Sequence, residues 1–190
     1  MSTVTVPLDR LIGPSRRQRR RERRRLEHLD ALSARLAELH AIRDLVEKAA
    51  AIVSSGWVQG AWFTVAVEGG ERAVTAYDLR LAADRNVTGA CLVGSVVQAA
   101  GGPASARSQL VQRTLDLAGH TLGEDPGRPV RWCPGPSRRM TTVLELTRWN
   151  DAPGRMQHEV VDLLLAAGDT AEVQRDLCHT ERADLARSRA

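Results

Sequence analysis

The strongest candidate for ligand chemistry lies near the start of the chain. Eight of the ten residues from Arg16 to Arg25 are arginines, interrupted by Gln18 and Glu22. A guanidinium pairs with two phosphate oxygens at once, and binding to a nucleic-acid backbone releases counterions. The run therefore predicts contacts to nucleic acid, with a solvated tail, or one docking on an acidic protein or on membrane phosphate, as the alternative. The predicted contact residues are Arg16, Arg17, Arg19, Arg20, Arg21, Arg23, Arg24 and Arg25.

A basic run beside a leucine-spaced helix is also the layout of basic-zipper dimers on DNA. The asparagine and paired alanines of such basic regions are missing here, and the heptad pattern that follows is short. We therefore expect nonspecific attachment to RNA or DNA, or to a nucleoprotein assembly, rather than reading of a base sequence.

Cys91 is the candidate nucleophile. If it opens a helix, the helix dipole would lower the pKa of its thiol. His120 or His158 would then act as the base, and Asn150 or Asp151 would orient it. However, Cys91 lies among small apolar residues, where cysteine is usually a packing residue. Catalysis by Cys91, His120 and Asp151 is therefore the lesser hypothesis, and we expect a protein without enzymatic activity.

The remaining chemistry-bearing residues match no metal or cofactor motif. The glycine-rich segments contain neither G-x-x-x-x-G-K-[ST] nor a strand–G-x-G-x-x-G–helix unit. Trp57 and Trp149 could stack on a base, but in a chain with four Trp, one Tyr and one Phe we expect them to complete the core. No cofactor or metal is expected. No zinc-ligand spacing joins Cys133, His158, Cys178 and His179.

Composition places these residues in an ordinary folded chain. Its 190 residues are 43% hydrophobic and 26% charged. No apolar stretch approaches the roughly 18 residues of a membrane span, and no secretory signal follows the basic run. Three widely spaced cysteines are typical of a reduced, cytoplasmic setting. The net charge of +4 hides a basic N-terminal segment on an acidic remainder.

A long amphipathic helix is expected over residues 26–55, and the arginine run could form its first, fraying turns. Its apolar residues recur every three or four positions and form a coiled-coil-like stripe of about four heptads. Gly56 fits the end of this helix. An exposed stripe would join a second copy or a partner protein. The predicted interface residues are Leu29, Leu32, Leu36, Leu39 and Val46.

A β-hairpin and two helices are expected next. Residues 62–67 and 72–77 have strand character and flank Gly69-Gly70. After a polar connection over 78–88, small apolar residues predict a buried helix over 89–100. Another helix is expected over 104–118, with Gly119 as its cap.

The C-terminal part is expected to be helical. A long loop over 119–137 precedes a helical face from Met140 to Thr147. Pro153-Gly154 predicts a type II turn. A helix over 157–167 is expected to end at Gly168, with a last, peripheral helix after it.

Three segments carry a family resemblance. They are Gly56-Trp57-Val58-Gln59-Gly60-Ala61, Cys91-Leu92-Val93-Gly94-Ser95-Val96, and Trp149-Asn150-Asp151-Ala152-Pro153-Gly154-Arg155-Met156-Gln157-His158-Glu159-Val160. They resemble small actinobacterial and actinophage proteins that share a domain of unknown function, with the motifs G-W-x-x-G-A, C-x-x-G-A-[LIV] and W-N-D-x-x-G-R-T-x-x-E-V. The resemblance spans roughly residues 40–168 and implies no activity.

The chain departs from this family pattern at two positions. The alanine of the second motif is Ser95, a mild change. The threonine of the third motif is Met156. Threonine there would form a capping box with Glu159, and loss of such a cap costs about 1 kcal/mol unless Asp151 or water replaces it.

Together these features predict a mainly helical α+β protein with one hairpin. We expect a flexible tail and arginine-rich arm over 1–25, a long helix over 26–55, a globular core over 56–168, and a C-terminal helix and tail over 169–190. The expected function is that of a non-enzymatic accessory protein, of actinobacterial or phage origin, that attaches to nucleic acid through the arm. The alternatives are a structural protein–protein interaction subunit that uses the heptad-like helix and, less favoured, a Cys91-dependent hydrolase or transferase.

Overall fold

The computed structural model describes residues 15–82, 86–123, 130, 132 and 135–187. These residues form five α-helices and a three-stranded antiparallel sheet. The predicted class, α+β and mainly helical, is confirmed.

Helix α1 spans Arg16–Ser55 and includes the whole arginine run. Ser15 caps it: the Ser15 hydroxyl accepts the Gln18 N–H at 3.2 Å, and the Gln18 side chain accepts the Ser15 N–H at 2.6 Å. This reciprocal capping box sets the start of the helix. A helix start at residue 26 is therefore too late. The helix ends as predicted at Gly56, whose N–H donates to the Ile52 carbonyl at 3.1 Å.

Strands β1 (Phe63–Val67) and β2 (Gly70–Val74) form the predicted hairpin. Phe63 lies opposite Val74 and Val67 opposite Gly70, and Gly69 takes a φ of +86° in the turn. A third strand, β3 (Val87–Ala90), pairs with the other edge of β1. The sequence predicts only a polar connection over residues 78–88. Four residues are too few to show an alternating pattern, so sequence reasoning missed this strand.

Three further helices follow: α2 (Leu92–Ala99), α3 (Gln109–Gly123) and α4 (Pro136–Asn150). Helix α2 packs against β3, and the three helices pack on each other. The prediction for α3 is wrong at both ends. Residues Pro103–Ser105 form a 3₁₀ turn instead of its first turn. Gly119 lies inside the helix and does not end it. A Cβ at this position would overlap the Thr142 side chain of α4. This glycine permits close helix packing rather than ending a helix.

Helix α5 runs unbroken over Gln157–Arg187, so the predicted helix end at Gly168 is wrong. Gly168 is buried, and a Cβ there would come within 3.2 Å of Val46 of α1. The glycine therefore lets α1 and α5 approach. The two helices pack antiparallel: Gln157 of α5 donates to the Val53 carbonyl at 2.6 Å, and Arg25 Nε donates to the Leu185 carbonyl at 3.0 Å near the other end.

Two apolar clusters hold these elements together. The larger one lies between the sheet, α2, α4, the C-terminal half of α1 and the first half of α5, and includes Phe63, Leu92 and Leu164. The smaller one lies farther along the α1–α5 pair and includes Leu39 and Cys178.

Candidate functional site

The arginine run forms the exposed end of α1. We call Arg16–Arg25 the basic tip. Its residues from Arg16 to Arg24 are exposed, and Arg25 is half-buried against α5. Because Arg25 already meets Leu185, the preceding turns of α1 lie beyond the contact with the described end of α5. The tip is thus a helix whose sides face solvent.

Most of the charge of the basic tip is not neutralised locally. Arg25 pairs with Glu22 at 3.3 Å, and Arg23 pairs with Glu27 at 3.4 Å. Exposed pairs of this kind contribute little. No described residue forms an ion pair with five further arginines of the tip: Arg16, Arg17, Arg20, Arg21 and Arg24.

The heptad residues of α1 pack mainly inside the chain. Leu32, Leu39 and Val46 are buried, with Val46 against Gly168 of α5. Leu29 and Leu36 are half-buried. The stripe predicted as a partner interface is therefore filled by α5 of the same chain.

A second group of polar residues surrounds Asn150, where the motif segments meet. We call Trp57, Asn150 and Asp151 with their partners the Asn150 hub. The buried Asn150 Oδ1 accepts the Trp57 Nε1–H at 2.9 Å and the Leu92 N–H at 3.1 Å. Asn150 Nδ2 donates to the Val58 carbonyl at 3.1 Å and to Asp151 Oδ1 at 2.8 Å. The amide therefore ties three distant segments together.

Asp151 and Gln59 extend the hub. Asp151 Oδ1 accepts the Gly60 N–H at 3.0 Å, rather than an amide of the following helix as expected for a capping residue. Gln59 Nε2 donates to the carbonyls of Asn150 at 2.9 Å and Ala152 at 3.2 Å. Sequence reasoning missed the role of Gln59, although its place between Trp57 and Gly60 in the first motif was the available signal.

The third motif also builds the turn before α5. Arg155 lies 3.9 Å over the Trp149 ring and donates to the Trp149 carbonyl at 3.1 Å and to Glu159 at 2.8 Å. Glu159 in turn accepts the Met156 N–H at 2.7 Å. Half of a capping box thus persists without a hydroxyl at residue 156. Gly154 takes a φ of +80°, as the turn prediction requires.

Cys91 occupies the N-cap of α2 and is fully buried. Its Sγ accepts the Gly94 N–H at 3.3 Å. Burial raises the pKa of the Cys91 thiol to about 12, and the hydrogen bond from Gly94 opposes this only in part. The expectation that the helix start lowers the pKa is therefore wrong, because desolvation of a thiolate outweighs the dipole of a short helix.

The structure does not assemble the predicted Cys-His-Asp arrangement. His158 is exposed on the first turn of α5, and His120 lies on α3 with a buried Nε2 that has no described hydrogen-bond partner. Neither imidazole hydrogen-bonds to Cys91 among the described residues. Asp151 is engaged with Asn150 and Gly60 instead.

No group of three His, Cys, Asp or Glu residues converges as a metal site within the described ranges. Cys178 is buried in the smaller cluster. Cys133 lies outside the described residues. No described helix has the length and apolar content needed to cross a bilayer.

The fold and the hub define a small, mainly helical α+β protein whose motif segments act as structural ties. Comparison with known families places residues 37–170 in the family of unknown function DUF6197, and the chain belongs to that family. The predicted resemblance to a domain of unknown function is confirmed. Searches of curated proteins and of solved structures give no match. The basic tip and the second half of α5 lie outside the matched range.

Proposed function

We propose that this protein is a non-enzymatic accessory protein that binds nucleic acid, alone or in a nucleoprotein assembly, through the basic tip. One observation carries the proposal: the arginine run is a capped, exposed helix with little local neutralisation. A capped helix holds its guanidinium groups on a defined surface. That order reduces the entropy lost when the tip meets a phosphate backbone.

The distribution of charge favours phosphate contacts over base recognition. Arginines at eight of ten consecutive helical positions point to every side of the helix. A base-reading helix instead presents a few selected side chains on one side. The tip is about 15 Å long at 1.5 Å per residue, enough to lie across or along a groove and contact several phosphates. DNA and RNA share this chemistry, and the proposal covers both.

The experiment compares two charge-neutralised variants of the full chain. The test variant changes four tip arginines to glutamine, which keeps helix propensity. The matched control changes four exposed arginines elsewhere to glutamine. The test set is Arg16, Arg17, Arg20 and Arg24; the control set is Arg72, Arg80, Arg107 and Arg138.

Binding to a duplex DNA and to a structured RNA is measured between about 50 and 200 mM salt. With six or more phosphate contacts, wild-type affinity should fall roughly a thousandfold across this range. Four fewer contacts should reduce the slope of log K against log salt by about 3 to 4. The control should keep both its affinity and its slope. Equal loss in both variants, or no binding by the wild type, would overturn the proposal.

Origin and location belong to the same proposal. The chain carries a single lysine, Lys48, among its 27 basic residues, a bias that fits a GC-rich genome. This bias and the motif resemblance support an actinobacterial or phage source. Nucleic acid as a ligand supports action inside the cell. A hydrolase or transferase based on Cys91 receives no support from its buried thiol.

A further inference from the structure

The sides of the basic tip are not equivalent, because α5 packs on one of them. Arg25 donates to a backbone carbonyl of α5, and Leu32 is buried two turns farther along the same side of α1. At 3.6 residues per turn, Arg16, Arg20 and Arg23 project from the opposite side of the helix. We call this side the outer face, and all three of its arginines are exposed. A ligand can therefore reach the outer face without meeting α5.

Further arginines flank the outer face. Arg19 lies on one flank, and Arg17 and Arg24 lie on the other. All three are exposed. The tip therefore presents cations outward and to both flanks at once. A flat phosphate surface would meet only the outer face, whereas a groove with two phosphate walls would meet the outer face and both flanks.

The width of the tip selects among the grooves of nucleic acids. A helix with its side chains is about 10–12 Å across, and the major groove of B-form DNA is about 12 Å wide. The minor groove of B-form DNA, at about 6 Å, is too narrow for a helix. In an RNA duplex the major groove is deep and narrow, and the minor groove is too shallow to enclose both flanks. The tip therefore matches the major groove of B-form DNA.

Single strands match the tip less well. Proteins that bind single strands without sequence preference combine a basic groove with aromatic side chains on which the bases stack. Helix α1 contains no Phe, Trp or Tyr between Arg16 and Ser55. The tip is also a convex helix rather than a groove, so it offers a single strand charge alone.

The outer face also sets where the contact ends. Glu27 and Asp30 follow Arg23 on the same side of α1, and both are exposed. Carboxylates repel phosphates, so the charge pattern confines a duplex to the tip. That length is about 15 Å, or roughly four phosphates on each strand.

We propose that the basic tip lies in the major groove of B-form duplex DNA, with its outer face toward the groove floor and α5 on the side away from the duplex. Every base pair presents a purine N7 acceptor in this groove, so the outer face meets acceptors in any sequence. The flanking arginines meet the two phosphate walls. This inference rests on the proposed function and names the form of nucleic acid that the tip binds.

The first test compares three probes with the full-length protein at about 100 mM salt. The probes are a DNA duplex, an RNA duplex of the same sequence, and one of the DNA strands alone. We expect the DNA duplex to bind at least about tenfold more tightly than either other probe. Equal binding of all three that depends on the tip arginines would overturn this inference and leave the proposed function standing. Absence of binding to every probe would overturn both.

A second test blocks one groove of the DNA duplex at a time. Glucosylated 5-hydroxymethylcytosine fills the major groove, whereas distamycin occupies the minor groove of an A·T-rich segment. Relative to the unmodified duplex, we expect the glucosyl groups to weaken binding at least about tenfold and distamycin to change it less than about twofold. Binding that survives the glucosyl groups, or that distamycin reduces as strongly, would overturn the inference.

Two neighbouring arginines provide a matched pair for the orientation of the tip. Arg20 lies on the outer face, whereas Arg21 projects toward the side on which α5 packs, and both are exposed. Arg20→Gln and Arg21→Gln change the net charge equally. We expect Arg20→Gln to lower the affinity for the DNA duplex at least about threefold more than Arg21→Gln does. Circular dichroism checks that both variants are folded, and equal losses of affinity would overturn the proposed orientation.

Discussion

Asn150 shows how a single buried amide can hold a motif together. Its two donors and its acceptor oxygen are all engaged, with Trp57, Val58, Leu92 and Asp151. Removing the side chain would leave the part-buried Trp57 indole N–H and the buried Leu92 backbone N–H without their acceptor. Each orphaned group costs about 1 to 3 kcal/mol.

We therefore expect Asn150→Ala to lower the free energy of unfolding by about 3 kcal/mol. Urea denaturation of the purified variant measures this. The chain supplies a matched control in Asn86, whose side chain is exposed; Asn86→Ala should stay within about 0.5 kcal/mol of wild type. Equal stability of the two variants would contradict a structural role for the hub.

Cys91 should react very slowly with alkylating reagents in the folded protein. A thiol with its pKa raised to about 12 is almost entirely protonated at neutral pH, and its sulfur is enclosed. In a chain with Cys133 and Cys178 changed to Ser, iodoacetamide at pH 8 should alkylate Cys91 at least a hundredfold more slowly than in denaturant. Mass spectrometry of the time course measures both rates. Alkylation of the native chain at the denatured rate would revive Cys91 as a nucleophile.

Glu159 gives the turn before α5 a defined response to acid. Accepting the Met156 N–H lowers the pKa of Glu159, and the charge of Arg155 lowers it further. The unfolded chain then takes up this proton at a higher pH than the folded chain. The stabilisation is therefore present above the ordinary glutamate value of 4.5 and is lost as the pH falls below it.

The measurable consequence is a difference in melting temperature between wild type and Glu159→Gln that becomes smaller at acid pH. Thermal melts at pH 7 should show the variant as less stable, and melts near pH 3 should bring the two together. Glu145→Gln, an exposed change on α4, should follow the wild type throughout. A gap for Glu159→Gln that is the same at both pH values would argue against the assignment.

At the scale of elements, the start of α5 lacks one half of its cap. The Glu159 carboxylate accepts the Met156 N–H, but among the described residues the Glu159 N–H donates to the Met156 carbonyl and to no side-chain oxygen. Met156→Thr should complete the box and raise the free energy of unfolding by about 0.5 to 1 kcal/mol. Met140→Thr is the control, because Met140 is equally exposed but lies inside α4, where threonine slightly disfavours the helix. Equal effects of the two changes would mean that the hydroxyl at residue 156 does not cap.

Sequence patterns predicted the elements that have strong local signals. The hairpin follows from Gly69-Gly70 between alternating residues, and the end of α1 follows from Gly56. The errors concern glycines and short strands. Gly119 and Gly168 look like helix caps, yet both lie where a neighbouring helix comes close. A Cβ at Gly119 would overlap the Thr142 side chain, and one at Gly168 would come within 3.2 Å of Val46. That reason is tertiary, so no local pattern reveals it.

Some features of the candidate site were also predictable from the sequence, and others depend on tertiary packing. The exposed arginines are evident from composition, but the Ser15–Gln18 box that makes them helical is a weak signal in sequence. The heptad leucines were predicted to be a partner interface, because sequence alone does not say that α5 of the same chain packs on them. The prediction of a low pKa for Cys91 is wrong because the thiol is buried, and the sequence around it does not show that burial.

At the scale of the whole molecule, α1 and α5 join the two apolar clusters into one cooperative unit. Leu39 of α1 is 1% exposed and packs against the other residues of the smaller cluster. Leu39→Ala should therefore cost about 3 kcal/mol and lower the unfolding midpoint of the whole chain in a single transition.

Leu26→Ala, at a position 50% exposed on the same helix, should cost well under 1 kcal/mol. Far-ultraviolet circular dichroism and tryptophan fluorescence should report the same midpoint for each variant. Two separated transitions in Leu39→Ala would show that the far end of the α1–α5 pair unfolds independently.

The unbroken length of α1 also sets a distance. Forty residues at 1.5 Å each make a rod of about 60 Å, with the basic tip at one end and Trp57 of the Asn150 hub just past the other. Because α5 packs along most of the length of α1, the helix cannot bend enough to bring its two ends together. A ligand held at the tip and any partner gathered at the hub end would be kept apart at a fixed interval, so the molecule would serve as a ruler between them.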